Sequence, residues 1–239
     1  MREREREWLY NTVQEGDGLE LLKSLGGETA QLVIFDPQYR PVEETNRTTE
    51  TFYKQPNQEQ SEMNITAFFK EINRILKPSA FCLLWIDDNI LIKGNYKQWI
   101  PNNLKVKELL IWMKKGFIAL GWEYFRQGCE YALLIQKEPH QRFVSQAKGS
   151  RGIRNIFSEF VNSTNRHNTH QKPYKMTKKI IKQLTNPGDL IVDPCAGSFV
   201  VLLACQKLKR QFIGTDLTLT EIMKFNINKE NSRLLLKKG

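Results

Sequence analysis

The chain has 239 residues, of which 40% are hydrophobic and 26% charged, and this composition predicts one large folded domain, or one domain with an inserted lobe. Thirty-six Lys and Arg against 26 Asp and Glu give a formal net charge of +10, which favours a polyanionic partner and argues against a small-molecule substrate. No run is apolar enough to span a membrane, and the charged start MREREREWLY lacks the apolar core of a signal peptide. We therefore expect a cytoplasmic protein.

The four cysteines, Cys82, Cys129, Cys195 and Cys205, are scattered along the chain without a C-x-x-C pair. Three of them lie in apolar runs, as small core residues do in a reducing compartment. Their spacing does not favour a zinc site, and we expect no bound metal.

The first half of the chain alternates short apolar runs with helical patterns. A strand is predicted at Trp8–Val13 and an amphipathic stretch at Leu19–Leu25. The next run, QLVIF (31–35), is continuously apolar, which is typical of a strand buried on both faces of a parallel sheet. A helical pattern at Ile65–Leu76 ends before a proline, and another buried strand is predicted at Ala80–Ile86.

In the second half, two strand patterns, VKELLIWMKKG and EYALLIQK, predict an antiparallel hairpin at an edge of the sheet. A basic amphipathic helix (Pro173–Leu184), the strand DLIVD, a helix at Phe199–Leu208, the strand QFIGTD and a closing helix to about Leu236 follow. The segments Pro41–Met63 and Glu138–Thr169 are polar, and we interpret both as long surface loops, which are often functional. The alternation predicts an α/β sandwich with a mostly parallel sheet.

Several predicted strands end in polar or small residues at the edge where open α/β sheets bind ligands. These ends read EGDG, FDPQYR, VDPCAGSF and GTD. Ala196, Gly197 and Ser198 let the backbone approach a ligand at a helix N-terminus, and Asp216 is placed to bind a ribose diol. The chain has neither G-x-G-x-x-G nor a P-loop lysine, so the turn and the second acid are the signal for a nucleoside cofactor.

The motifs and their order resemble the S-adenosylmethionine-dependent amino methyltransferases of DNA, in the circularly permuted β class. That family carries DPPY early and DPFxGSG late, as DPQY and DPCAGSF stand here, and its HPTQKP element is matched by THQKP. The residues that match its intermediate segment are Trp112, Lys114, Gly121, Arg126, Glu130 and Lys137. The resemblance covers roughly Gly16 to Asp216 and implies a Rossmann-like methyltransferase fold.

The resemblance implies that Asp36, Pro37, Gln38 and Tyr39 form the catalytic site. The carboxylate of Asp36 and the carbonyl of Pro37 would accept hydrogen bonds from the exocyclic amine of a base, which frees the nitrogen lone pair to attack the sulfonium methyl in line. Tyr39 offers a ring on which the flipped base can stack. Gln38 stands where the family usually has a second proline, which leaves the fit of the target base open.

The same resemblance implies a cofactor site. Asp216 would hold the ribose, Asp17 would lie near the adenine, and Lys172 would lie near the cofactor carboxylate. Phe199, which stands where a glycine is usual, would give the cofactor an aromatic wall. The full expected set is Asp17, Phe35, Asp36, His170, Lys172, Asp193, Pro194, Ala196, Gly197, Ser198, Phe199 and Asp216.

Residues 1–137 and 170–239 are expected to form the catalytic domain, with 138–169 as a small inserted target-recognition or loop segment. Because this variable segment is short, a homodimer that shares the duplex is expected.

Trp85 and Trp112 are expected to be core aromatics. The candidates for DNA phosphate contacts are Arg40, Lys114, Lys115, Arg126, Arg151 and Arg154.

We expect a site-specific methyltransferase of adenine N6 in double-stranded DNA, because relatives that modify cytosine N4 more often begin the motif with serine. Cytosine N4, RNA and protein amides stay open as substrates, because the activation of the amine is the same. A third hypothesis is a catalytically silent, nucleic-acid-binding homologue, motivated by Gln38 and Phe199. The presence of Asp36, Pro37 and Tyr39 argues against it.

Overall fold

The computed structural model describes residues 8–37, 62–116, 128–141, 152–160, 171–197 and 200–219. The helices in these ranges are α1 (Gly18–Ser24), α2 (Glu62–Ile75), α3 (Asp88–Lys93), α4 (Tyr174–Leu184) and α5 (Val200–Leu208). The strands are β1 (Val13–Glu15), β2 (Ala30–Phe35), β3 (Leu76–Ile86), β4 (Leu104–Lys115), β5 (Cys129–Lys137), β6 (Ile156–Phe160), β7 (Leu190–Asp193) and β8 (Gln211–Asp216). No described helix is both long and apolar enough to cross a membrane.

The strands form one sheet in the order β1-β8-β7-β2-β3-β5-β4-β6. Strands β1, β8, β7, β2 and β3 are parallel to one another, β5 is antiparallel to both β3 and β4, and β6 is parallel to β4. The prediction of a mostly parallel α/β sheet with an antiparallel portion is confirmed. The carboxyl ends of the parallel strands and the amino end of β5 therefore lie at one edge, which we call the carboxyl edge.

The core lies on both faces of the sheet, as the apolar run of β2 shows. Leu32 and Ile34 belong to the cluster formed with α4 and α5, and Val33 and Phe35 to the cluster formed with α1 and α2. All four are at most 5% exposed, and burying a side chain of this size contributes about 1.5–3 kcal/mol. Helices therefore pack on both faces of β2, and this packing positions Asp36, the residue that follows the strand.

The first strand differs from its prediction at Trp8–Val13, because it begins only at Val13. Leu9 and Tyr10 are 57% and 54% exposed, so these apolar residues do not enter the sheet. Asn11 adopts a φ of +60°, and it exchanges hydrogen bonds with the main chain of Phe212. The turn at Asn11 therefore delays the entry of the chain into the sheet.

The interpretation of Glu138–Thr169 as loop is wrong for Ile156–Phe160, which form β6 beside β4. The outermost described strand on that side is β6, whereas the sequence predicts the hairpin there. Ile156 and Phe160 are 49% and 69% exposed and only Phe157 is buried. An edge strand of this kind is held mainly by its main-chain pairing, and the sequence shows little apolar alternation.

Strand β3 begins at Leu76 rather than at Ala80, although Pro78 lies within it. Leu76 pairs with Ala30 and Phe81 pairs with Leu32, so the register shifts between these pairs. This irregularity accommodates the proline, which cannot donate to a ladder hydrogen bond. The predicted loop at Pro41–Met63 lies outside the described residues up to 61, residues 62 and 63 begin α2, and the predicted closing helix lies outside them entirely.

Candidate active site

Three carboxylates follow neighbouring strands at the carboxyl edge. Asp36 directly follows β2, Asp193 ends β7 and Asp216 ends β8. Strand β7 lies between the other two, and neighbouring strands are about 4.8 Å apart. Because the three strands are parallel, the residues predicted to act on the substrate and those predicted to hold the cofactor meet in one place.

The turn after β7 is fixed to the end of β8 by hydrogen bonds. The amide of Ala196 donates to the carbonyl of Thr215 at 2.9 Å, and the amide of Gly197 donates to Oδ2 of Asp216 at 2.8 Å. Gly197 adopts a φ of +43°, which favours glycine. The predicted cofactor turn is therefore a defined structural unit, and Asp216 anchors it.

The junction of β1 and α1, with the sequence EGDG, contacts the same turn. A Cβ added at Gly18 would lie 2.2 Å from the carbonyl oxygen of Pro194, so no side chain fits there without displacing the backbone. Asp17 accepts hydrogen bonds from the amides of Leu19 at 2.6 Å and Glu20 at 3.2 Å. Asp17 therefore caps α1; it is exposed and directly precedes Gly18, which packs against the turn.

Lys172 connects Asp36 to an acid on the antiparallel strand. Its Nζ lies 2.6 Å from Oδ2 of Asp36 and 3.1 Å from Oε2 of Glu130. Oε1 of Glu130 lies 2.7 Å from Nζ of Lys114. The ammonium of Lys172 is also 4.7 Å from the centre of the Trp85 ring. We call Asp36, Lys172, Glu130 and Lys114 the charge chain.

Burial disfavours the charged form of the acids at the ends of β7 and β8. Burial raises the pKa of Asp193 well above its ordinary value, although the amide of Cys195 donates to its carboxylate. The negative charges of Asp36 and Asp216 raise it further, and Lys172 lowers it. Burial also raises the pKa of Asp216, despite its main-chain hydrogen bonds. A ligand that donates hydrogen bonds or carries positive charge would stabilise the charged form.

Within the charge chain the pKa shifts favour the charged forms of Glu130 and Lys172. Burial alone would raise the pKa of Glu130, but Lys172 and Lys114 outweigh it and the pKa is lowered. Burial alone would lower the pKa of Lys172, but Asp36 and Glu130 outweigh it and the pKa is raised. Glu130 and Lys172 are therefore both charged at neutral pH.

Phe35 is fully buried beneath the site. Its ring stacks on Phe68 with 5.0 Å between centroids and meets Phe69 edge-on at 5.9 Å. The predicted cofactor contact of Phe35 is thus left to its main-chain atoms, because the side chain belongs to the core. The prediction that Trp85 and Trp112 are core aromatics is confirmed, since they are 5% and 2% exposed.

The described phosphate-contact candidates lie in three different settings. Lys115 is exposed at the carboxyl end of β4, with its Nζ 5.8 Å from the centre of the Phe160 ring. Lys114 is engaged with Glu130. Arg154 is exposed just before β6, beside the middle of β4. The phosphate role of each stays a prediction.

Eight predicted site residues lie outside the described part of the chain, so their predicted roles stay predictions. Pro37, by contrast, is described and buried directly after Asp36. The eight are Gln38, Tyr39, Arg40, Arg126, Arg151, His170, Ser198 and Phe199.

Sequence reasoning assigns Glu130 no chemical role and directs Lys172 toward the cofactor carboxylate. The structure instead places Lys172 against Asp36 and Glu130. One signal was available: EYALLIQK is predicted to be antiparallel, so its first residues lie at the carboxyl edge. Glu130 is the second residue of β5.

The comparisons with known proteins agree with this geometry. The profile of one family, described as DNA methylase (N6_N4_Mtase), matches residues 30–224. The Type II methyltransferase M.HhaII of Haemophilus parahaemolyticus is 32% identical over 217 residues, which cover 87% of this chain and 91% of that protein. The DNA adenine methyltransferase YhdJ of Escherichia coli (strain K12) is 24% identical over 255 residues, covering 91% and 82%.

Solved structures show the same fold. A DNA modification methylase of Thermus thermophilus, described as putative and complexed with S-adenosyl-L-methionine, superposes with a TM-score of 0.63 at 18% identity, covering 91% of this chain and 95% of that chain. The PvuII DNA methyltransferase, described as cytosine-N4-specific, gives a TM-score of 0.66 at 16% identity, covering 88% and 83%. At these identities the likeness concerns the fold alone.

Proposed function

Because the chain belongs to the N6/N4 DNA methylase family, we propose that this DNA methyltransferase transfers a methyl group from S-adenosylmethionine to the N6 amine of adenine in double-stranded DNA. The observation that carries the proposal is the position of Asp36 at the carboxyl edge. There it follows the strand next to β7, and the turn after β7 is fixed to Asp216. An acid that begins the D-P-x-Y motif supports adenine over cytosine. A relative described as an adenine methyltransferase supports the same choice.

The residues present fit S-adenosylmethionine. Asp216 is part-buried at the end of β8, and carboxylate oxygens bind the hydroxyls of a ribose. The turn at Ala196 and Gly197 brings main-chain atoms close to the same place, and Asp17 directly precedes Gly18, which packs against the turn. When bound, the cofactor supplies an electrophilic methyl group on a sulfonium.

Asp36 is the residue that prepares the amine. One of its oxygens is held by Lys172, and the carboxylate keeps further lone pairs for the hydrogens of an exocyclic NH2. The carbonyl of the buried Pro37 is the second acceptor. Hydrogen bonds to both hydrogens free the nitrogen lone pair, and the catalytic contribution is orientation and electrostatics.

The net charge of +10 supports a duplex DNA substrate. Lys115 adds an exposed cation at the carboxyl edge, on the side away from Asp216. The target base would leave the stack to reach Asp36, and Tyr39, two residues after Pro37, would stack on it.

The test measures transfer of labelled methyl from S-adenosylmethionine to duplex DNA, single-stranded DNA and RNA, followed by digestion to nucleosides. We expect label in duplex DNA, recovered as N6-methyladenine. Asp36→Ala should lower the rate by roughly 10²–10³-fold, whereas Glu108→Ala, which alters an exposed acid on β4, should not. Label in N4-methylcytosine would correct the choice of base, and label in RNA alone would overturn the proposal.

A further inference from the structure

We propose that Lys172 is a positioning residue for Asp36, and that Glu130 and Lys114 hold Lys172 in place. This inference rests on the proposed function and concerns the same site. It differs from the expectation that Lys172 serves the carboxylate of the cofactor.

The geometry of the charge chain is continuous across the sheet. Lys172 precedes α4 and approaches the carboxyl edge from one face, and β5 brings Glu130 to that edge because it runs antiparallel to its neighbours. The contacts from Asp36 to Lys172, from Lys172 to Glu130 and from Glu130 to Lys114 measure 2.6, 3.1 and 2.7 Å. Each carboxylate oxygen of Glu130 is therefore occupied by a lysine.

The donors of Lys172 are largely used within the protein. An ammonium has three N–H donors, and two of them reach Asp36 and Glu130. The ammonium also lies 4.7 Å from the centre of the Trp85 ring, which is within the range of a cation–π contact. At most one donor is left for a cofactor carboxylate, so the main partner of Lys172 is Asp36.

The charges around Lys172 explain why Asp36 needs this partner. Asp36 shares the carboxyl edge with two other carboxylates, and the negative charges of Asp36 and Asp216 both raise the pKa of Asp193 between them. Among the described residues, Lys172 supplies a cation in direct contact with Asp36. By donating to Oδ2 it fixes the rotamer of Asp36, and the remaining lone pairs of the carboxylate can face the amine.

The activity test uses Lys172→Gln and Glu130→Gln. Their matched controls are Lys175→Gln on α4 and Glu108→Gln on β4, which alter exposed residues of the same types. At saturating cofactor we expect methyl transfer to slow by about 10²-fold in Lys172→Gln and by a smaller factor in Glu130→Gln. The dissociation constant for S-adenosylmethionine, measured by calorimetry, should stay within about threefold of wild type.

Lys172→Arg tests whether the contact with Asp36 matters or only the space that the side chain fills. Arg keeps the positive charge and also donates to a carboxylate. We expect it to recover part of the rate that Lys172→Gln loses. A loss of cofactor affinity in Lys172→Gln with an unchanged rate at saturation would overturn the proposal and assign Lys172 to the cofactor carboxylate.

A second measurement needs neither DNA nor cofactor. In the free protein, NMR titration of the Lys172 side chain should show its pKa falling from its raised value in Asp36→Asn and in Glu130→Gln. An unchanged pKa in Asp36→Asn would show that the contact does not exist in solution. A different result would overturn the proposed function: wild type would transfer no methyl group to any nucleic acid.

Discussion

The two sides of the carboxyl edge shift the pKa values of their acids in opposite directions. On the side proposed to bind the cofactor, formed by β1, β7 and β8 and called here the cofactor side, Asp193 and Asp216 have raised pKa values and receive hydrogen bonds from the main chain. On the opposite side, where β4 and β5 bring the charge chain to the edge, Glu130 has a lowered pKa between two lysines. On the cofactor side the charged form of the acids is disfavoured until a ligand stabilises it, whereas in the charge chain two lysines already stabilise the charged form of Glu130.

The substitution with the largest expected effect on stability disrupts the cofactor side. In Gly18→Ala the new Cβ would lie 2.2 Å from the carbonyl oxygen of Pro194, which forces the α1 junction and the turn apart. We expect a loss of about 2–3 kcal/mol in the free energy of unfolding, measured by chemical denaturation, and weaker cofactor binding. Gly152→Ala is the control, because its Cβ would meet nothing within 4 Å. Equal stability of the two variants would contradict the close approach.

The next change breaks the charge chain. Glu130→Gln leaves Lys172 and Lys114 without the acid between them, and we expect a loss of about 1–3 kcal/mol at neutral pH. Since the folded state lowers the pKa of Glu130, its contribution to stability is present above the ordinary pKa of a Glu and is lost as pH falls. The stabilities of the variant and wild type should therefore begin to converge only below about pH 4, as the pH falls through the lowered pKa of Glu130. Glu108→Gln should stay within about 0.5 kcal/mol of wild type at every pH.

The two sides also differ in how far the sequence predicts them. The cofactor side is built from contiguous motifs, and a strand that ends in Asp193, a small-residue turn and a second acid at Asp216 can all be recognised between Leu190 and Asp216. The mostly parallel α/β sheet follows from the alternation of apolar runs and helical patterns. These parts of the fold and site were predicted because each depends on neighbours in the chain.

The charge chain could not be predicted in the same way. Lys172 and Asp36 are 136 positions apart, and their contact depends on the placement of α4 relative to β2. Strand β6 has little apolar alternation, because Ile156 and Phe160 face solvent, and the turn at Asn11 interrupts an apolar run without a local signal. Long-range packing and edge pairing, which leave weak patterns in sequence, determine these features.

A change with the opposite sign sharpens the comparison. Asp193→Asn keeps an oxygen for the amide of Cys195 and cannot ionise, which removes the cost of burying an acid whose pKa is raised; we therefore expect the variant to be more stable by about 1 kcal/mol at neutral pH, or roughly 2–4 °C in melting temperature. The folded state raises the pKa of Asp193, so wild type loses stability as pH rises and the gain should vanish in acid. Cofactor affinity should fall at the same time. A variant that is less stable than wild type at neutral pH would show that the charge is compensated.

The smallest expected effect concerns the two ends of β4. Lys115 is exposed at the carboxyl edge, whereas Lys105 is exposed at the opposite end of the same strand. If DNA approaches the carboxyl edge, Lys115→Gln should weaken duplex binding by a similar factor for every sequence and reduce the slope of log affinity against log salt concentration by about 1. Lys105→Gln should leave that slope unchanged, because its charge lies far from the bound duplex. Equal slopes for the two variants, measured by fluorescence anisotropy, would place the DNA on another surface.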